Sequence, residues 1–460
     1  MRFLVECTYV YEHPKDNSGI QRVVRNVIKH LDGISPEVEC VPVMMHGGQL
    51  YRVKSLAPIQ ADLRAGAWQA LIIKLEHLLA RFWWLHSGVE RLWPFSKVEF
   101  AKLAWRLLGR MLALTLFVPI KVARHISPPS APAPERAVPF VAQAGDQLLM
   151  LDSSWHADFF PLAEGLKAQG VGIISVIYDL IPLTHPQFCD EGLVKVFDRW
   201  FDWIAETADG YMAISQTISQ QVSDEVRRRL GEQKAQQRWH DHFYLGTDLD
   251  LVQGGNTPLP ALVTMFQDEA PVYLMVSTIE PRKNHCYLLD AFELLWAQGS
   301  SARLCIIGKI GWKCQDLIKR IRRHPEWNKR LFMFNRVDDS SLEYAYANAQ
   351  ALVFPSHVEG FGLPLVEALQ RGLPVMASDI PVFREVGGAF MAYFDLQQPE
   401  SLVELIRQFE KQGSLPAARP VSEWSWIDWR ESSRQLVERS LAGVHGRRGS
   451  LATDDDAHSI

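Results

Sequence analysis

The chain has 460 residues, 47% hydrophobic and 22% charged, with a formal net charge of -5 at neutral pH. That length exceeds what one core serves and predicts two domains, the composition is that of a globular protein, and the acidic balance excludes a general nucleic-acid binder. Six cysteines, Cys7, Cys40, Cys189, Cys286, Cys305 and Cys314, lie scattered without a CxxC pair or nearby histidines, which excludes a disulfide scaffold and a zinc ribbon and predicts a reducing, cytoplasmic setting.

In chain order, Met1 to Val5 shows no basic n-region or cleavage site, so no export signal is expected. Apolar runs predict strands at 2–7 and 38–44. From about 62 to 126 the pattern turns to long helices rich in Trp and Leu, and between Arg64 and Arg124 there are ten Lys or Arg against three Glu. Basic amphipathic helices with interfacial Trp lie on anionic bilayers, and that is the expectation for this insertion; a helical hairpin on the sheet or a dimer contact is the alternative. The apolar stretch at 111–120 is shorter than the roughly 20 residues a spanning helix needs. A Pro-rich run at 128–139 reads as a connector. Strands at 147–151, 172–177 and 210–214 complete a first Rossmann-like domain, 1–253, followed by a Gly- and Pro-containing hinge at 254–270.

After the hinge, strands at 272–276, 303–307, 331–334, 351–354 and 375–378 alternate with helices at 287–297, 315–322, 341–349, 363–371 and 382–386. Such alternation predicts a parallel sheet with helices on both faces, here a second Rossmann-like domain at 271–422. An aromatic helix, 423–444, is expected to pack back on the first domain, and the polar residues 445–460 are expected to be disordered.

Two stretches carry chemistry. In Glu359-Gly360-Phe361-Gly362-Leu363-Pro364 a strand passes through a glycine turn into a helix, which brings backbone N–H groups and the positive helix end towards a phosphate. Glu359 and Glu367 lie in a loop and a helix, so they read as two separate acceptors for sugar hydroxyls; the bland reading is a solvated turn and an exposed helix face. In Ser277-Thr278-Ile279-Glu280-Pro281-Arg282-Lys283-Asn284, again between strand and helix, Arg282 and Lys283 offer a donor fork and a point charge for a diphosphate. Alone, an Arg-Lys pair is more often a solvated loop.

Together with Asn17-Ser18-Gly19-Ile20-Gln21-Arg22 and Tyr178-Asp179-Leu180-Ile181-Pro182, these blocks resemble the retaining glycosyltransferases of family 4. The resemblance implies an α/β fold of the GT-B type, two Rossmann-like parallel-sheet domains facing a cleft, with the basic helical insertion in the first. It implies that Glu359, Asp179, Arg282 and Lys283 are catalytic, with Glu359 on the transferred sugar and the two cations on the diphosphate. Glu367 would hold the ribose, and Gly360, Phe361, Gly362, Leu363, Thr278, Arg336, Val337 and Gly19 would complete the donor site. Tyr178, His185 and Trp155 are acceptor-side candidates. Ser277-Thr278 stands where many members have Gly-Arg, and Tyr178 where many have His.

The closest flavour is that of mannosyl- or rhamnosyltransferases of bacterial O-antigen. It implies GDP-mannose or GDP-D-rhamnose as donor, a lipid-diphosphate-linked oligosaccharide as acceptor, and a peripheral place at the cytoplasmic face of the inner membrane, beside other glycosyltransferases. No cofactor or metal is expected: Asp248-Leu249-Asp250 has the form of a DxD signature but precedes the hinge. The alternatives are a family 4 enzyme using a UDP- or dTDP-sugar and an inactive homologue that tethers a complex to the membrane. An NAD-linked oxidoreductase would need a G-x-G-x-x-G after a strand, and none follows.

Overall fold

The computed structural model describes residues 1–14, 19–57, 78, 82, 86, 89, 99–126, 135–153, 155, 159–247, 257–335 and 337–457. Arg336, residues 248–256, and most of 58–98 and 127–134 lie outside the described residues. The chain forms two compact units, a larger one of Met1–Val10, Asp16–Pro42 and Ala142–Ile460, and a smaller one of Tyr11–Lys15 and Val43–Val141. The strands of the first half are β1 (Arg2–Glu6), β2 (Glu39–His46), β3 (Gln49–Val53), β4 (Ala137–Phe140), β5 (Gln147–Met150), β6 (Gly172–Ile177), β7 (Gly210–Ala213) and β8 (Trp239–His242). Those of the second half are β9 (Val272–Val276), β10 (Arg303–Ile307), β11 (Leu331–Phe334), β12 (Ala351–Phe354), β13 (Val375–Ser378) and β14 (Ala392–Phe394).

In the larger unit, one lobe is built on the parallel run β1-β5-β6-β7-β8. The other has the parallel order β11-β10-β9-β12-β13-β14. In this second sheet the order reverses between β9 and β12, which pair at Leu274↔Leu352. Ligands of open parallel sheets bind outside the carboxyl ends of the strands at such a reversal, and β9 and β12 lead into the Arg282-Lys283 and Glu359 segments. The strands β12 and β13 are buried along their whole length, as expected of a sheet covered on both faces. Each fully buried Leu, Val or Phe there stabilises the lobe by about 1.5–3 kcal/mol. This is the GT-B arrangement.

The predicted strands of the second half agree with the structure. Short or polar strands were not expected: β8 is Trp239-His240-Asp241-His242, half-buried at the sheet edge, and β14 has only three residues. The expected hinge contains a helix, Pro260–Phe266, that starts at Pro260 and buries Leu262 and Met265. The expected connector ends in β4, where Pro139 sits opposite Tyr51; proline is tolerated in such short peripheral strands.

The last helix begins at Trp429 and runs to Ala457, so it enters the stretch expected to be disordered: backbone hydrogen bonds can carry a helix past the end of its apolar face. Its early turns lie on the first lobe, with Ser432 Oγ donating to the Tyr244 carbonyl at 2.7 Å and Arg439 Nη1 to that of His242 at 2.8 Å.

The smaller unit contains the end of β2 paired antiparallel with β3, and β3 with β4. The Arg136 guanidinium lies 4.0 Å over the Tyr11 ring. Its long helix, Glu99–Ile126, packs Gly109 against the His86 imidazole, which stacks on Trp105 at 4.7 Å. Among the described residues no helix is long and apolar enough to cross a membrane.

At the end of β10, a β-carbon on Gly308 would lie 1.7 Å from the Ser277 carbonyl oxygen. Gly308→Ala is expected to cost about 2–3 kcal/mol by overpacking and to lower the urea midpoint. An unchanged midpoint would contradict the close approach of the β9 and β10 ends.

Candidate active site

Glu359 is the centre of the site. The chain leaves β12 through Ser356 and His357, and the His357 N–H donates to the Arg282 carbonyl at 2.8 Å, which ties the two predicted motifs together. Glu359 Oε2 accepts from Arg282 Nη1 at 2.6 Å, and Oε1 accepts from Ser356 Oγ at 2.7 Å and from Lys283 Nζ. Glu359 and Lys283 are buried, so neither the solvated turn nor the solvated loop describes them. Burial alone would raise the Glu359 carboxyl; the adjoining Arg282 and Lys283 charges overcome it and hold it down to about 2. Burial, then the Arg282 charge, lowers Lys283.

Arg282 is shared further. Its Nε lies 2.6 Å from Glu280, whose carboxyl burial raises. Burial also raises Asp179, whose carboxylate accepts from the Ile181 N–H at 3.0 Å. Three carboxyl groups thus share two cations, and the acids that lack a full partner are the ones pushed towards the neutral form.

The glycine turn is explained by packing. A β-carbon on Gly360 would lie 2.1 Å from the Tyr178 carbonyl oxygen, and Ser215 Oγ donates to the Gly360 carbonyl at 3.0 Å. Gly360 therefore lets the two lobes touch beside Asp179. Gly362 has φ 101° and caps the helix Leu363–Gln370, with half-buried Leu363 as its first residue and Pro364 in its first turn. Phe361 is buried near Tyr244 and Trp426, so its side chain is a core group and only its backbone faces a ligand role.

Glu367, expected on an exposed face in the bland reading, is buried, and accepts from Tyr346 OH at 2.9 Å on Oε2. Arg22 Nη1, from the first turn of the helix Gly19–His30, lies 2.7 Å from Oε1. Gly19 itself is open, since a β-carbon there would meet nothing within 4 Å. Thr278 and Val337 are half-buried on the loops after β9 and β11.

On the first lobe, Tyr178 OH donates to the Leu151 carbonyl at 2.8 Å, and Tyr178 lines one cavity together with Asp179 and Trp155. His185 stacks on Phe188 and Phe188 on His357, a short aromatic column between the lobes. A cavity of about 210 Å³ is lined by Asp179 and Arg282 at one end and by Trp155, Phe197, Trp200 and Trp312 elsewhere. Asp152, which also lines it, accepts from the Val10 and Ser153 N–H groups, each at 2.7 Å. Its backbone N–H donates to Glu6 Oε2 at 3.2 Å.

Sequence reasoning singled out neither Glu6 and Asp152 nor Glu280, Ser356 and Tyr346 as site residues. Arg22 stood inside a motif that was read for its glycine. Glu280 lies inside one motif and Ser356 just before the other, so both were within reach of spacing arguments; the others meet only through long-range folding.

Residues 263–419 match the family described as Glycosyl transferases group 1. The serotype-specific mannosyltransferase WbdA of Escherichia coli is 32% identical over 310 residues, 65% of this chain and 37% of that protein. The O-antigen chain mannosyltransferase B of Escherichia coli is 31% identical over 170 residues, 36% of this chain and 44% of that protein. The chain thus spans less than half the length of each of these relatives. The sucrose-phosphate synthase of Thermosynechococcus elongatus covers 100% of both chains with a TM-score of 0.51 and 16% identity, a likeness of fold.

Burial, then the Asp152 charge, pushes Glu6 up to about 8, against an ordinary value of 4.5. The folded state therefore keeps a proton that the unfolded state releases, and stability falls as pH rises from about 4.5 to about 8. Glu6→Gln is expected to flatten this part of the profile, read as thermal midpoints between about pH 5.5 and 8.5. An unchanged slope would contradict the raised carboxyl.

Proposed function

We propose that the chain is a retaining, metal-independent glycosyltransferase that moves a hexose, D-mannose or D-rhamnose, from its GDP-sugar onto a lipid-diphosphate-linked glycan of bacterial O-antigen. The observation that carries this reading is the Glu359 carboxylate held between Arg282 and Lys283 at the strand reversal, beside the start of the helix Leu363–Gln370. The names of the mannosyltransferases it resembles support the sugar. In the reaction the bond from the anomeric carbon to the diphosphate oxygen breaks while that carbon bonds to the acceptor oxygen on the same face, and the acceptor proton leaves with the diphosphate. Arg282, Lys283 and the backbone N–H groups of the glycine turn stabilise the departing charge, which is the main catalytic term. Glu359, released from its cations by the phosphates, takes hydroxyls of the transferred sugar. The aromatic cavity next to Asp179 suits the apolar face of an acceptor pyranose.

The membrane reading concerns the smaller unit. On the helix Glu99–Ile126, Leu103, Leu107, Met111, Leu114 and Val118 recur at helical spacing and are 51–70% exposed, and Arg106 and Arg110 are exposed too. An apolar stripe with flanking cations matches an anionic bilayer surface, which supports the reading of an enzyme held at the cytoplasmic face of the inner membrane, where a lipid-linked acceptor would be presented.

Transfer of labelled sugar from GDP-mannose to membranes bearing the lipid-linked acceptor is expected to persist in EDTA and to fall at least 100-fold in Glu359→Ala. Equal activity in the variant would contradict the role given to Glu359, and no activity in the wild type with GDP-, UDP- and dTDP-sugars alike would favour the inactive scaffold. The chain is also expected to sediment with vesicles containing about 30% anionic lipid, and Leu107→Glu/Met111→Glu to stay in the supernatant; equal sedimentation of the two would contradict the membrane face.

A further inference from the structure

The ion pair between Arg22 and Glu367 joins the two lobes through the residue that, on the reading above, takes the ribose. Its partners are unequal. The Glu367 side chain is 7% exposed and fixed by Tyr346 OH, whereas the Arg22 side chain is 38% exposed at the start of its helix. The carboxylate therefore cannot move to a new partner, and the guanidinium can. Vicinal hydroxyls of a ribose would donate to both Glu367 oxygens, and Oε1 is the one that Arg22 faces. Asp339, whose charge also acts on Arg22, leaves the displaced guanidinium with an anionic neighbour. The Arg371 side chain holds the end of the same helix: its Nη1 donates to the Glu367 carbonyl at 2.9 Å and its Nη2 pairs with Glu343. Neither contact competes for the carboxylate.

We propose that Arg22 is an exchangeable partner of Glu367, holding the carboxylate in the nucleotide-free chain and giving it up to the ribose hydroxyls of the donor. Arg22 is then a positioning residue that keeps a buried carboxylate paired and aimed before the nucleotide binds, and the cleft contact it makes is remade around the nucleoside. This rests on the assignment of Glu367 to the ribose.

The test compares GDP with 2′,3′-dideoxy-GDP, and UDP with 2′,3′-dideoxy-UDP, by calorimetric titration of the wild-type chain, Arg22→Met, Arg22→Lys and Glu367→Gln. The ratio of the two dissociation constants cancels any pull of Arg22 on the diphosphate and isolates the hydroxyls. Loss of the competitor is expected to raise the discrimination in favour of the hydroxylated nucleotide about two- to five-fold in Arg22→Met, the range a partly exposed ion pair is worth. Arg22→Lys, the variant kept in case Arg22→Met does not fold, is expected to show a smaller rise in the same direction. Discrimination that is present in the wild type, lost in Glu367→Gln and unchanged or reduced in both Arg22 variants overturns the proposal alone. Absence of discrimination in every protein, Glu367→Gln included, overturns it together with the ribose assignment.

Discussion

The structure depends on one buried carboxylate with two cations. Glu359 could not be ionised where it stands without Arg282 and Lys283, and two cations could not be brought into that space without Glu359. The contact also fixes the protein around it. Arg282 and Lys283 follow β9, Glu359 follows β12, and these neighbouring strands are where the sheet order reverses. Replacing either side alone would leave an uncompensated charge in a water-poor place. On the function proposed above, a diphosphate would replace the carboxylate on the cations and free Glu359 for a sugar.

Around this centre the lobes meet through short polar contacts beside the aromatic column of His185, Phe188 and His357. Gly360 touches the Tyr178 carbonyl, Ser215 holds the Gly360 carbonyl, and Glu385 accepts from the Gln216 and Thr217 N–H groups at 2.6 and 2.8 Å, at the start of the helix Gln216–Leu230. A carboxylate at a helix N-terminus is favourable on both electrostatic and hydrogen-bonding grounds. Each contact can be broken and remade at modest cost, which suits a cleft that must admit and release a nucleotide.

Much of this was legible in the sequence. The second-half strands are short, apolar and flanked by turn residues, so their boundaries follow from composition, and the two motif loops follow from the strands. Elements at the periphery were less visible: the half-exposed β8 carries two histidines and an aspartate, and the helix Pro260–Phe266 is hidden among prolines and glycines. At the site, spacing could show that Glu359 and Glu367 do separate work. It could not show that Glu359 sits on Arg282 and Lys283, which meet through the pairing of β9 with β12, or that Arg22 reaches Glu367 across 345 positions of chain, which takes the packing of lobes.

The most direct measurement is a structure of the chain with GDP bound, or with UDP should that nucleotide bind instead. The account predicts phosphate oxygens within hydrogen-bond distance of Arg282 and Lys283, with the Glu359 carboxylate turned off both cations towards the space the sugar would fill. A diphosphate bound elsewhere, with the Glu359 contacts to Arg282 and Lys283 intact, would contradict it.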